Sequence, residues 1–245
     1  MKKILFLNRS TSLLLILLKK ASVTLLIFSV TTHLALASNK DNATDGSLKD
    51  GFYFGGQIGY DSYHIDYSGV NNLSGSSGKT GVNPIGFVGG LFTGYGKYFN
   101  NFYYLGGEIF VNDSAATSTT TSVIPGIGSV SDEYNINESA GIALIPGLKL
   151  NNKSLFYLRL GYNWARMKIT EKGSDESKTS TYTANVFNTS QGFVFGVGLE
   201  TLVTQNWSVR SDFNHTKYSS FTPAGSGFKF NPTDNQFVLS LSYHL

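Results

Sequence analysis

Residues 235–245 read NQFVLSLSYHL, and the alternation within them decides the fold. Phe237, Leu239, Leu241, Tyr243 and Leu245 share one face of an extended strand. Val238, Ser240, Ser242 and His244 share the other, because strand side chains alternate with period two. The first face is apolar to its end. No amphipathic helical segment follows residue 37 to cover it. Its other apolar solvent is lipid, and a lipid-facing strand is stable only in a closed barrel, where every backbone N–H and C=O is paired.

The same period recurs upstream. Strands are expected over 51–63, 84–98, 103–111, 138–150, 155–167, 191–202 and 207–215, with 235–245 closing the set. In 155–167, Phe156, Leu158, Leu160, Tyr162 and Trp164 alternate with Tyr157, Arg159, Gly161 and Asn163, the cleanest such signal in the chain. The connections run long, short, long, short, long, short, long. The long ones are 66–80, a Ser/Thr-rich 112–137, a charged 168–190 and 216–234; the short ones lie near Asn100-Asn101, 151–153 and 203–206. Membrane barrels keep short periplasmic turns and long outer loops, and an even strand number returns both ends to the periplasm. The expected fold is therefore all-β: an eight-stranded antiparallel up-and-down transmembrane β-barrel with four long extracellular loops and three short periplasmic turns. A soluble eight-stranded barrel of the lipocalin type alternates equally well, with its polar face outward. The start of the chain and the aromatic residues near strand ends favour the membrane form.

Residues 1–37 carry Lys2, Lys3, Arg9, Lys19 and Lys20, two apolar runs and the ending Ala35-Leu36-Ala37. Small residues at −3 and −1 before Ser38 fit a secretory cleavage site, so 1–37 is read as a signal peptide rather than an uncleaved inner-membrane anchor. Residues 38–50, SNKDNATDGSLKD, read as a polar periplasmic leader with no core to bury, and 51–245 as the barrel. The formal charge of +3 comes from residues 1–37. Removing the five basic residues there from 19 leaves 14 against 16 acidic, or −2. Phosphate binding needs a concentrated basic surface, so a nucleic-acid partner is not indicated. The absence of cysteine fits an oxidising compartment.

These residues resemble the small eight-stranded outer-membrane proteins of the OmpA/OmpX type, with the opacity-protein-like porins of Gram-negative bacteria. The resemblance is carried by GFYFGGQIGY, GLFTGYGKYFNNFYYLGGEIF, LFYLRLGYNW, GFVFGVGLE, NWSVRSDFNHT and the ending DNQFVLSLSYHL, and it covers residues 51–245. It implies a fold strongly and a task weakly. It also implies a charge network through the barrel centre, at Glu108, Arg159, Glu200, Arg210 and Asp212. The family usually ends in Phe after a basic residue, whereas this chain ends His244-Leu245. The last strand is then what the outer-membrane assembly machinery would read, and outer-membrane lipid or lipopolysaccharide would surround the band.

Two uses are open to the inward charges. They satisfy one another in a filled interior, as a lumen of eight strands allows, or they line a small-solute pore in which inward glycines leave free volume. Neither use is catalytic. His64, His215 and His244 stand at no metal-ligand spacing, so no metal or cofactor is expected. A lipid-modifying barrel enzyme of the lipid A deacylase kind carries His-x-Ser, but His215 is followed by Thr216-Lys217. Gly196-Val-Gly198 and Gly86-x-x-Gly89-Gly90 lack a following helix and a Walker lysine, so they pack strands rather than cradle phosphate. Tyr60, Tyr95, Tyr98, Tyr103, Tyr162, Trp164 and Trp207 read as an interfacial girdle. The apolar island Val123, Ile124, Pro125 and Ile127 is the candidate loop site for a host or envelope partner. The expected role is an anchor for surface loops, of the adhesin or surface-antigen kind.

Overall fold

The computed structural model describes residues 46–70, 77–124, 128–175, 181–222 and 228–245. Among these residues nine strands form: β1 (Gly51–Val70), β2 (Ser77–Val82), β3 (Ile85–Phe99), β4 (Tyr103–Ile124), β5 (Gly128–Lys149), β6 (Ser154–Asp175), β7 (Thr181–Leu202), β8 (Trp207–Tyr218) and β9 (Phe228–His244). All pairings are antiparallel; β1 pairs with both β2 and β3, each strand from β3 onward pairs with the next, and β1 also pairs with β9 over Tyr53↔His244 to Gly69↔Phe228, which closes a ring of eight. The ninth strand is the second one interrupted. β2 and β3 follow one another along β1, from Ile65↔Val82 to Ser62↔Ile85, and are split at Asn83-Pro84, where proline has no N–H to give the ladder.

Asn100 and Asn101 both take positive φ, 53° and 56°, and Phe102 N donates to Phe99 O at 3.1 Å. That is a tight turn with both central residues left-handed, inside a three-residue connection that ends at Phe99↔Tyr103, and asparagine tolerates the left-handed region. Asn151 closes the next short turn by accepting from Lys153 N and Ser154 N, each at 2.8 Å. At Pro146 the β5–β6 ladder skips from Leu144↔Leu160 to Gly147↔Tyr157 without changing register. The proline leaves a local gap rather than a slip.

The outward face is apolar across the band. Ile58, Phe87, Leu91 and Phe193 are each more than 60% exposed, while their sequence neighbours Gln57, Val88, Phe92 and Val194 are buried. Aromatic pairs mark both borders: Tyr60 with Phe87 and Tyr162 with Phe193 at one, Phe52 with Tyr95 and Trp207 with Tyr243 at the other. Tyr98 is not among them. It faces the lumen, its ring 4.8 Å from that of Tyr104 and capped by Lys149 Nζ at 5.5 Å.

Two expectations change. First, most of 112–137 and 168–190 is strand. β4, β5, β6 and β7 have 22 residues each, roughly twice the 9–11 that cross a bilayer. Ser, Thr and Val suit an extended chain, and a ladder once started in the membrane needs no lipid to continue. Second, the polar leader does bury a residue. Leu48 is 5% exposed and packs with Tyr53, Tyr104, Leu155, Tyr157 and Leu202. Its N–H donates to Asn152 O at 2.9 Å, and Lys149 Nζ donates to Ser47 Oγ at 3.3 Å, so residues 46–50 strap across the short-turn end.

Candidate functional site

Period two places every inward charge, and the register stacks them. Four of the five residues singled out by sequence meet in mid-barrel. Glu108 on β4 accepts from Arg159 Nη2 through one carboxylate oxygen and from Arg210 Nη1 at 2.8 Å through the other. Asp212 lies 3.9 Å from Arg159 Nε and 3.8 Å from Arg210 Nη2, and it accepts from Tyr157 Oη at 2.7 Å. Arg210 Nε donates back to Tyr157 Oη at 2.9 Å. All four charged side chains are at most 3% exposed.

Aromatic rings complete the layer. The Arg210 guanidinium lies 4.6 Å from the centroid of Phe92 and 5.1 Å from that of Tyr157, and Arg159 lies 5.2 Å from that of Phe110. Tyr53 Oη donates to Glu108 at 3.3 Å. A guanidinium is planar and weakly hydrated, so it stacks on rings while its fork binds carboxylate. The inward glycines are part of the same arrangement. An added Cβ at Gly94 would lie 2.5 Å from Tyr53 Oη, and at Gly198 2.5 Å from Tyr157 Oη. Each glycine seats a ring from the adjacent strand, so these positions are occupied rather than free volume.

Glu200 stands apart. It lies opposite Arg210 in the β7–β8 register, yet its Oε1 accepts from Ser208 Oγ at 2.6 Å and contacts His244 Nε2 at 2.7 Å. Ser208 Oγ is also 2.7 Å from Ser242 Oγ and 3.0 Å from His244 Nε2. Serine, histidine and glutamate together invite a catalytic reading, but a relay uses both ring nitrogens, one toward serine and one toward carboxylate. Here a single nitrogen faces both. His215 Nδ1 is 2.9 Å from Asn235 Oδ1 in an exposed cross-strand pair.

Sequence reasoning missed the rest of the interior. Above the charged layer, Gln57 Nε2 donates to Asn112 Oδ1 at 2.5 Å, and Asn214, Gln236 and Asp61 form a chain with donor distances of 3.2 and 2.9 Å. Higher still, Ile65, Ile136, Met167, Tyr218 and Phe230 form a second apolar cluster inside the ring. The alternation already marked the lower of these positions as inward; nothing local showed that they would meet. Of the loop candidates, Val123 is 72% exposed and sits on β4 opposite Ser129. Ile124 ends β4 opposite Gly128, while Pro125 and Ile127 lie outside the described residues.

A closed antiparallel ring with an apolar band outside and paired charges, stacked rings and amides within is a membrane-spanning β-barrel with a filled interior. The chain belongs to the family described as outer membrane protein beta-barrel domain, whose model matches residues 23–244. It is an outer-membrane barrel protein. It is similar to the 31 kDa outer-membrane immunogenic proteins of Brucella melitensis and Brucella suis, at 24% identity over 165 residues, which is 67% of this chain. The match spans 66% of the length of those relatives. Among solved structures, it is similar to Ail, the attachment invasion locus protein of Yersinia pestis, at 13% identity and a TM-score of 0.36, covering 79% of this chain and 99% of that one. OprG of Pseudomonas aeruginosa is similar at 12% identity and a TM-score of 0.41, covering 82% and 99%.

Proposed function

We propose that the barrel is an anchor and that its working part is the tall wall of β4, β5, β6 and β7, presented outside the cell to other surfaces. The carrying observation is length. These four strands stay paired for about as many residues beyond the apolar band as lie within it, through one-residue register shifts at Asp113/Ala116 and Ile136/Ser139, from Val123↔Ser129 at the top of one hairpin to Ser174↔Thr181 at the top of the next. A solute channel has less support, because the lumen holds a charged layer set among the aromatic rings of one apolar cluster, with a second apolar cluster higher in the ring. Export through the 1–37 signal peptide, insertion read from β9, and a lipopolysaccharide-rich surround for the band belong to the same reading.

The test is exposure and adhesion together. Single cysteines at Val123 and Thr183 on intact cells should react with a membrane-impermeant maleimide. Replacing Val123 and Phe187 with Ser should reduce adhesion to host-cell or envelope material while leaving the heat-dependent gel shift of the folded barrel intact. Unlabelled cysteines in a folded protein would overturn the orientation, and unchanged adhesion would remove the wall from the role.

A further inference from the structure

The wall ends in a strand edge that no described residue covers. Pairing of β7 with β8 stops at Gly192↔Tyr218, and the last link is Ser219 N to Gln191 O at 2.7 Å. The chain then leaves β7: Phe221 pairs instead with Phe230, through bonds of 3.1 and 2.8 Å. Residues 181–190, TYTANVFNTS, are therefore laddered to β6 alone. From Thr181 to Phe187 both faces are open, with Tyr182, Val186 and Phe187 at 52%, 41% and 64% exposure.

Proteins usually blunt such an edge with lysine, proline or a bulge, because alternate residues point unpaired N–H and C=O groups outward. Here none of those devices is present. The β6–β7 register runs unbroken from Ser154↔Thr201 to Ser174↔Thr181, and residues 181–191 include no charged residue, no proline and no glycine. The neighbouring stretch of β6 carries Lys168, Glu171, Lys172 and Asp175. The edge thus has the backbone template and the tyrosine, phenylalanine, valine and threonine content of a strand that expects a neighbour.

We infer that this edge takes the same edge of a second copy of the chain, the two copies standing in opposed membranes. This rests on the orientation proposed above. An uncharged strand is self-complementary, since an antiparallel pair of two such strands sets no like charges opposite one another. Symmetry then decides where the partner stands. Two barrels in one membrane are related by an axis along the membrane normal, and strands tilted by about 35–45° would cross at roughly 70–90°, which makes no ladder. An axis lying parallel to the membranes reverses the strand and gives an antiparallel pair. The contact therefore joins two cells, or two vesicles, rather than two barrels side by side.

The test uses the full-length protein placed singly in lipid nanodiscs and followed by sedimentation over rising concentration. The expected result is a species with the mass of two discs, lost in Val186→Pro and in the double variant Asn185→Lys/Phe187→Lys. Both variants are checked for the gel shift of a folded barrel, and the second removes no backbone donor. Single discs at every concentration, two-disc species undiminished by either folded variant, or pairing only between barrels that share a membrane would each overturn the inference. Maleimide labelling of Thr183→Cys on intact cells keeps the two readings apart. Discs that pair while the cysteine stays shielded leave the edge contact standing and sink the outside orientation; a labelled cysteine with unpaired discs does the reverse.

Discussion

Arg210 on β8 donates from Nη1 to Glu108 on β4 at 2.8 Å, across the barrel and 102 residues apart in the chain, while Arg159 takes the other oxygen of the same carboxylate. One glutamate thus holds two buried guanidinium groups. Removing one partner of a buried pair leaves an uncompensated charge, which costs about 3–5 kcal/mol, whereas replacing the whole set with apolar residues is often close to neutral. Glu108→Ala should lower the unfolding free energy of the refolded barrel by that amount, read as a lower denaturant midpoint. The quadruple variant Glu108→Leu/Arg159→Met/Arg210→Met/Asp212→Asn leaves no buried charge unpaired and keeps an oxygen for Tyr157 Oη, and it should recover most of the loss. A Glu108→Ala barrel as stable as the parent would show that Asp212 alone can hold both arginines.

Tyr157 is fixed at its hydroxyl, donating to Asp212 and accepting from Arg210, and its ring lies against Gly198 on β7. The ring cannot swing aside without breaking both bonds. Gly198→Val should therefore cost at least the roughly 1–3 kcal/mol of an overpacked core and reduce the yield of folded barrel. Adding Tyr157→Ala should restore folding efficiency by vacating the seat. Normal folding of the single variant would mean that the ring has another place to go.

Leu48 is the residue for which sequence gave the wrong expectation, and the cause is instructive. In SNKDNATDGSLKD a lone leucine among polar residues has no periodicity, so nothing local marks it as buried. Its burial depends on Tyr104, Leu155 and Leu202, which come together only once the ring has closed. The strands were legible because lipid imposes an outward pattern residue by residue. The charged layer was legible as a set of inward positions, but the partner of Glu200 was not. Cross-strand register places it beside Arg210, while side-chain reach gives it to Ser208 and His244. Strand ends failed for a third reason, since past the apolar band the outward face meets water instead of lipid and the alternation fades although the ladder continues. For Leu48 itself, substitution by Ala should cost about 2–3 kcal/mol as a buried large-to-small change, read as a lower unfolding midpoint. An unchanged midpoint would return residues 46–50 to the role of a solvated leader.

Asp132 and Glu171 are directly opposed on β5 and β6 in the wall beyond the membrane band. Partial burial, and then the facing Glu171 carboxylate, raise the Asp132 pKa above its ordinary value. A carboxyl group whose pKa is higher folded than unfolded stabilises the folded form while protonated, and that contribution disappears as pH rises through the folded value. The wall should therefore be firmest in mild acid and loosen as pH climbs above the usual carboxylate range toward neutrality. Amide exchange across residues 128–136, corrected for its intrinsic pH dependence, should show protection falling over that interval. Asp132→Asn should flatten the profile and keep the protection high at neutral pH. If exchange in the parent is insensitive to pH, or if the asparagine variant leaves the slope intact, the opposed pair does not govern the stability of the wall.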